Sequence, residues 1–209
     1  MPEELFKNIF FLEGRDFDSN SLLFIDSKTA LIDPGFGKKE ELESLGLKPD
    51  SINLILLTHA HADHFASAGS FRKARILASK KDALKLAQKN PEATAADFFQ
   101  LKKFPEAFII EEKEIKLGSH SLKVISTPGH SDGGISFYEP ELKLLACGDL
   151  FFFKGIGRFD LPSGNEKELM KSISLVEKLD LEIVIPGHGP IIRGRQAIEE
   201  NFEFIKGFF

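Results

Sequence analysis

Hydrophobic and polar residues alternate along this chain in short blocks, and the blocks predict a mixture of strands and helices. Short, mostly apolar runs that stand between turn residues are typical of strands. The predicted strands cover residues 9–13, 21–26, 29–32, 52–57, 75–78, 114–117, 122–126, 135–139, 143–147 and 181–185. The run at 52–57 is apolar almost throughout, which is expected for a strand covered on both faces.

Helices are predicted where apolar residues recur with the helical period. The clearest case is 165–179, where Leu169, Ile173, Val176 and Leu179 fall on one face. The other predicted helices cover residues 38–45, 65–73, 79–90 and 196–206, and residues 91–108 are predicted to be irregular. Because the strand blocks and the helices alternate, we expect sheets covered by outer helices.

Composition narrows the class of protein. The chain has 209 residues, 42% of them hydrophobic, and we predict a single domain over residues 1–209. One cysteine leaves no intrachain disulfide and favours a cytoplasmic location. A net charge of −5 argues against nucleic acid as a partner, and no apolar run is long enough to predict a membrane span.

Residues 58–64 read Thr-His-Ala-His-Ala-Asp-His and predict a metal site. Residues at i and i+2 of an extended backbone point to the same side, so His59 and His61 can reach one ion together. Asp63 and His64 follow where a turn into a helix would aim them at a second ion. Buried imidazoles and carboxylates without partners are costly, which makes a simple core role a poor explanation.

Further ligand-type residues stand where predicted strands end, namely His130, Asp149 and His188. With the strand before Thr58, four strands then deliver such a side chain, and facing sheets would bring these ends to one edge. Asp149 is the natural candidate for a carboxylate between two ions. No cysteine belongs to the set, so Zn²⁺, Fe²⁺ and Mn²⁺ all remain open.

These motifs resemble the metallo-β-lactamase superfamily, and within it the short glyoxalase II-like hydrolases, also called hydroxyacylglutathione hydrolases. The matching pieces are Thr-His-Ala-His-Ala-Asp-His, Thr-Pro-Gly-His-Ser at 127–131, Gly-Asp-Leu-Phe at 148–151 and Pro-Gly-His-Gly at 186–189. Ile-Asp-Pro-Gly at 32–35 extends the match towards the N-terminus.

The resemblance implies an α/β protein with an αββα sandwich, in which helices flank two mixed sheets. It implies two divalent metal ions, with zinc expected first and iron or manganese as alternatives. The implied ligands form one site from His59, His61 and His130, a second from Asp63, His64 and His188, and a bridge from Asp149. Asp63 and Asp149 are the predicted catalytic residues, and Asp33 is predicted either to form a turn or to support the ligands from outside.

The implied reaction is hydrolysis of a hydroxyacyl thioester, a small-molecule substrate, by a hydroxide that bridges the two ions. Gly-Ile-Gly-Arg-Phe-Asp-Leu-Pro at 155–162 resembles the substrate loop of these enzymes. Arg158 would there bind an anionic part of the substrate, unless it pairs structurally with Asp160. The alternative function is an oxidoreductase similar to the one-iron persulfide dioxygenases.

A serine hydrolase is a rival, because residues 129–133 match the nucleophile-elbow pattern around Ser131. An elbow opens a helix, whereas residues 134–138 predict a strand. Cys147 is predicted to be a buried small residue, and His120 an exposed turn residue. Aromatic residues carry further predictions: Phe151, Phe152 and Phe153 as core, Phe98, Phe99, Phe104 and Phe108 as a substrate funnel or a subunit contact of a homodimer, and Phe208 and Phe209 as packed or at an interface.

Overall fold

The computed structural model describes residues 1–207, so the prediction for Phe208 and Phe209 lies outside the described residues. Two mixed sheets pack face to face, and helices cover the outer face of each sheet. The αββα sandwich that the sequence motifs imply is therefore confirmed.

Among the described residues, the first sheet holds seven strands in chain order. They are β1 (Glu3–Phe6), β2 (Ile9–Leu12), β3 (Ser21–Phe24), β4 (Ala30–Ile32), β5 (Leu54–Leu56), β6 (Arg75–Ala78) and β7 (Phe108–Ile109). Strands β1 to β4 pair antiparallel, and β4 to β7 pair parallel. The connections between the parallel strands carry α1 (Lys39–Ser44), α2 (Ala62–Phe65) and α3 (Lys80–Ala87).

In the part of the chain that the structure describes, the second sheet holds six strands in the order β15-β14-β11-β10-β9-β8, and β12 and β13 form a separate hairpin. The bounds are β8 (Glu114–Lys116), β9 (Ser121–Ser126), β10 (Ile135–Glu139), β11 (Leu144–Gly148), β12 (Phe151–Phe152), β13 (Gly155–Ile156), β14 (Ile183–Pro186) and β15 (Ile192–Arg193). Helices α4 (Glu166–Val176) and α5 (Arg195–Lys206) cover its outer face. Within residues 1–207, no helix combines the length and the apolarity needed to cross a bilayer.

The core consists of three apolar layers, one between the sheets and one under each set of helices. Phe24 and Phe137 are fully buried in the layer between the sheets. The predicted apolar face of α4 buries Leu169 and Ile173 against the second sheet, next to Phe202 of α5. Each such side chain stabilises the fold by about 1.5–3 kcal/mol. These layers hold the ends of the strands in fixed positions.

The helix predicted over 65–73 is wrong. The structure has α2 from Ala62 to Phe65, followed by one 3₁₀ turn, Ala68–Ser70. The backbone N–H of Ser67 donates to the carbonyl of Gly35 at 2.8 Å instead of continuing the helix. The short helix begins directly after His61, which places Asp63 and His64 in its single turn.

Asp26 joins the two sheets at the edge where β3 ends. Its carboxylate accepts hydrogen bonds from the backbone N–H groups of Ser27 (2.7 Å), Ser119 (2.7 Å) and His120 (3.1 Å), and the last two lie between β8 and β9. The bond from Ser27, followed by those from the turn, outweighs partial burial and lowers the pKa of Asp26 to about 2.

The Asp26→Asn variant should therefore be less stable at pH 7, by about 0.5–1 kcal/mol because the group is partly exposed. A carboxyl whose pKa is lower in the folded chain stabilises it above the ordinary value of 3.8 and loses this contribution as the pH falls towards 2. Urea unfolding of both proteins between pH 7 and pH 2.5 should show the difference shrinking below pH 4. A difference that stays constant over this range would contradict the assignment.

Candidate metal centre

Four strands bring the predicted ligand residues to one edge of the sandwich. His59 follows β5 of the first sheet, and His130, Asp149 and His188 follow β9, β11 and β14 of the second. Because the sheets face each other, the loops at the ends of these strands meet, and α2 adds Asp63 and His64 to the same place. The seven side chains lie in three overlapping groups, each of which could hold a metal ion.

The first group consists of His59, His61 and His130, which are all buried. Nε2 of His59 lies 3.1 Å from Nδ1 of His61, and Nε2 of His130 lies 2.8 Å from the same atom. Tetrahedral zinc binds nitrogen at about 2.0–2.1 Å, which puts neighbouring ligand atoms roughly 3.3 Å apart. The observed spacing is close to that value.

The second group consists of Asp63, His64 and His188. Oδ2 of Asp63 lies 3.1 Å from Nε2 of His188 and 3.9 Å from Nε2 of His64. Asp149 stands between the groups: its Oδ1 is 3.2 Å from Nε2 of His64, and its Oδ2 is 3.6 Å from Nε2 of His130 and 3.8 Å from Nε2 of His188. Asp149 therefore lies between a group of three histidines and a group of one aspartate and two histidines.

Asp33, which follows β4, supports the rings of two histidines, His64 directly and His59 through Thr58. Its carboxylate accepts hydrogen bonds from the backbone N–H and the hydroxyl of Thr58, at 2.8 and 2.6 Å, and from Nδ1 of His64 at 2.9 Å. The Thr58 hydroxyl in turn lies 3.2 Å from Nδ1 of His59. Such contacts fix the ring orientation and leave Nε2 free to face the centre.

Arg158 touches the centre through its backbone. The ring N–H at Nδ1 of His130 donates to the carbonyl of Arg158 at 2.7 Å. The guanidinium forms a two-bond pair with Asp160, with Nε to Oδ1 at 3.0 Å and a terminal nitrogen to Oδ2 at 2.9 Å. Both side chains of this pair are exposed. Arg158 therefore shows features of both predicted roles: it lines the cavity at the centre, as a substrate-binding residue would, and its guanidinium is paired with Asp160.

Burial sets the protonation of the first group. It lowers the pKa of His59 and His130 and lowers that of His61 to about 3, so these rings are neutral at pH 7 and have lone pairs to offer. At His64 burial works in the same direction, but Asp149 and Asp33 outweigh it and raise its pKa well above the ordinary value. The two carboxylates favour a positive charge on or beside the His64 ring, and a metal cation bound at Nε2 would supply that charge in place of the proton.

Two further observations fit a bound cation. Nε2 of His64 and Oδ1 of Asp149 are buried 3.2 Å apart, but neither is aligned for a hydrogen bond with the other or with another described group, which is costly unless a further group satisfies them. Gly187 leaves room beside both, because a Cβ there would lie 2.0 Å from Oδ1 of Asp149 and 2.7 Å from Cε1 of His64. The donor set of nitrogen and carboxylate oxygen suits zinc, iron or manganese.

A model of the metallo-β-lactamase superfamily matches residues 14–188. The chain belongs to this superfamily. It is a metal-dependent hydrolase of that superfamily, whose members use divalent metals, and the histidine and aspartate cluster is the part of the chain suited to them.

Superfamily relatives match most of the chain. A probable metallo-hydrolase of Methanocaldococcus jannaschii is 38% identical over 196 residues, which covers 86% of this chain and 92% of the relative. The hydroxyacylglutathione hydrolase GloC of Haemophilus influenzae is 35% identical over 198 residues, with 87% and 91% covered. Among solved structures, TTHA1623 in a di-iron-bound form is 30% identical with a TM-score of 0.73, covering 88% of this chain and 94% of that one.

The structure does not support a serine or cysteine nucleophile, which the sequence offered as alternatives to a metal centre. Ser131 is buried, and β10 rather than a helix follows it, so residues 129–133 do not form a nucleophile elbow. Cys147 is buried as predicted, and burial raises the pKa of its thiol, which disfavours a nucleophilic thiolate. His120 lies in the turn between β8 and β9 as predicted, but its predicted exposure is wrong, because its ring is partly buried beside Phe24 and its Nδ1 lies 3.4 Å from Glu139.

The phenylalanines divide between roles that the sequence could not assign. Phe98 and Phe99 line the cavity at the centre, whereas Phe104 packs on the buried Phe65 and Phe108 lies exposed under Arg75. Of the three predicted core rings, only Phe151 is fully buried. Phe152 lines the cavity, and Phe153 is exposed because it lies in the turn between β12 and β13.

Asn20 is a supporting residue that sequence reasoning missed. Its side-chain N–H groups donate to the carbonyls of Pro186 (3.0 Å) and Gly189 (2.9 Å), on either side of His188. Its carbonyl oxygen accepts from the N–H of Gly14 at 2.9 Å. The polar residues before β3 are typical of an ordinary turn. Nothing in the neighbouring sequence predicts the contact of Asn20 with Pro186 and Gly189.

The Asn20→Ala variant should weaken metal binding at the His188 side by about tenfold. It leaves buried carbonyl and N–H groups without partners, so the loop that carries His188 loses its support. Titration with a chelating dye should show one ion released at lower chelator concentration than in the wild type. Asn53→Ala is the matched control, since Asn53 accepts one backbone bond from Thr29 far from the centre. Equal release from both variants would contradict this role.

Proposed function

We propose that the protein hydrolyses thioesters with two divalent ions. His59, His61 and His130 would hold one ion, and Asp63, His64 and His188 would hold the other, with Asp149 between them. The observation that carries the proposal is the placement of Asp149, with its two oxygens 3.2 to 3.8 Å from histidines of both groups.

The bound ions would supply a nucleophile at neutral pH by acidifying water, and would polarise the carbonyl that it attacks. The protein residues perform the remaining tasks. Asp63 and Asp149 give the centre its negative charge, which is why we propose them as its catalytic carboxylates. Asp33 and the Arg158 carbonyl keep the rings of His64 and His130 in orientation.

A thioester suits this cavity because its leaving group needs little help. Free thiols have pKa values near ~8.5, so a thiolate departs at neutral pH without a strong general acid. Among the described residues that line the cavity there is no lysine, tyrosine or cysteine to serve as one. The relative from Haemophilus influenzae, a hydroxyacylglutathione hydrolase, supports the same reaction class.

We take zinc as the first candidate ion, with iron and manganese as alternatives. The di-iron-bound form of TTHA1623 supports a site for two ions in this fold. The alternative function from the sequence, a one-iron persulfide dioxygenase, needs only part of the ligand set. The gathering of Asp63, His64 and His188 into a second group favours the two-ion hydrolase.

Elemental analysis combined with a thioester assay tests the proposal. The purified protein should carry two equivalents of divalent metal and hydrolyse S-lactoyl-N-acetylcysteamine. Dialysis against a chelator should remove metal and activity together, and added metal should restore both. Undiminished hydrolysis by metal-free protein would refute the proposal. One equivalent of iron, with oxygen uptake on a persulfide and no hydrolysis, would establish the dioxygenase instead.

A further inference from the structure

We propose that three phenylalanines beside the centre form a subsite for an aromatic or other bulky apolar group of the substrate. We call Phe17, Phe98 and Phe99 the aromatic wall. The inference rests on the proposed function, since it names the kind of thioester that the centre would cleave. It concerns the shape and charge of the cavity rather than the reaction.

The rings of the aromatic wall contact one another edge to face. The centroid distances are 4.9 Å between Phe98 and Phe99, 5.9 Å between Phe17 and Phe98, and 6.1 Å between Phe17 and Phe99. The ring of Phe36 packs against that of Phe99, with the two centroids 5.0 Å apart. Phe17 and Phe98 nevertheless remain 63% and 70% exposed. An exposed cluster of apolar rings usually marks a binding surface.

The aromatic wall is fixed to the metal centre through the loop that carries Phe17. In this loop the backbone N–H of Ser19 donates to the carbonyl of Asp63 at 3.3 Å, and that of Asn20 donates to the carbonyl of Gly187 at 2.6 Å. The ring of Phe152, 6.2 Å from that of His188, extends the apolar lining to the centre. The aromatic wall and the metal ligands thus line the same cavity, so a group seated on the wall shares that cavity with the reacting position.

The cavity has room for such a group. Its volume is about 540 Å³, within the range of about 300–1,000 Å³ that small-molecule sites occupy. Apolar atoms make up most of the accessible surface of this cavity.

The charge of the rim disfavours a strongly anionic substrate. Glu92 and Asp97 line the cavity next to the aromatic wall, apart from the carboxylates of the centre, which the two proposed ions would offset. Among the described lining residues Arg158 is the sole lysine or arginine, and Asp160 already occupies its fork. A carrier with several carboxylates or phosphates would meet Glu92 and Asp97 without an unpaired lysine or arginine to bind it. We infer an uncharged thioester with an apolar group, in place of the anionic substrate that the sequence predicts.

Substrate series test the aromatic wall and locate the apolar group. The reference is S-acetyl-N-acetylcysteamine; one arm carries the ring on the acyl side (S-phenylacetyl-N-acetylcysteamine), and the other on the thiol side (S-benzyl thioacetate). At least one aromatic arm should show kcat/KM about five- to tenfold above the reference. This ratio should fall towards one in Phe98→Ala and persist in Phe98→Tyr. Phe108→Ala, which removes an exposed ring outside the cavity, should leave the ratio unchanged.

A binding measurement separates this inference from the proposed function. Saturation transfer from the metal-loaded protein to 2-phenylethanol, which cannot be cleaved, should be seen with the wild type and Phe108→Ala and lost in Phe98→Ala. If no thioester is hydrolysed but this binding pattern holds, the proposed function fails and the aromatic subsite stands. Equal kcat/KM across the series, or binding unaffected by Phe98→Ala, would overturn the subsite. Loss of a dimer in Phe98→Ala without a change in the ratio would also overturn it and assign the wall to a subunit contact.

Discussion

Replacing Asp149 with alanine is expected to remove both ions and to lower turnover by more than about 10³-fold. Among the residues that the structure describes, Asp149 is the one side chain with oxygens close to histidines of both groups, at 3.2 Å from His64 and 3.6 Å from His130. Burial disfavours its negative charge, but His64 and the neighbouring histidines outweigh burial and hold its pKa below the ordinary value. Without that charge, the imidazoles that remain attract two dications much less strongly.

The Asp149→Ala experiment combines metal content, thioester hydrolysis and far-UV circular dichroism. Asp160→Ala is the matched control, because Asp160 is an exposed acid on a nearby loop whose side chain pairs with Arg158. The control should keep two ions. An Asp149→Ala protein that is folded, carries two ions and retains more than a tenth of the wild-type rate would end the proposal that Asp149 joins the two sites.

Replacing Asp33 with asparagine should lower metal affinity and activity by about 10- to 100-fold, although Asp33 touches no ion in the proposed centre. Its carboxylate accepts from two donors of Thr58 and from Nδ1 of His64, and an amide group would turn N–H atoms towards at least one of these donors. The rings of His59 and His64 would then lose the contacts that fix their orientation. Because the group is buried, we also expect a stability loss of about 1–3 kcal/mol.

Thr58→Val provides a graded comparison for Asp33→Asn. It removes the hydroxyl link to His59 but keeps the backbone N–H bond and the bond between Asp33 and His64. Metal competition assays and urea unfolding should place Thr58→Val between the wild type and Asp33→Asn in both affinity and stability. Wild-type metal affinity in a folded Asp33→Asn protein would show that the aspartate acts only as a turn residue.

Local chemistry explains which features could be predicted from the sequence. The heptad and the strand ends before His130, Asp149 and His188 combine ligand-type residues with turns, and facing sheets bring these ends together. The apolar face of α4 could also be predicted, because the residues that form it recur with the helical period within one short segment. The single domain over 1–209 and the cytoplasmic location stay predictions.

The features that could not be predicted depend on contacts between distant parts of the chain. Asn20 reaches a carbonyl 166 residues further on, and nothing in its neighbourhood distinguishes it from a turn residue. The helix expected over 65–73 ends early because the N–H of Ser67 is bound by Gly35. The aromatic wall likewise arises only when the loop of Phe17 meets residues 98 and 99 in the fold.

Anomalous diffraction from crystals of the metal-loaded protein is the most direct measurement of the proposed two-ion centre. Data collected on both sides of the absorption edge of the metal should show two peaks, one among His59, His61 and His130 and one among Asp63, His64 and His188. Asp149 should lie between the two peaks. A single peak at full metal loading, or peaks away from these side chains, would contradict the two-ion centre.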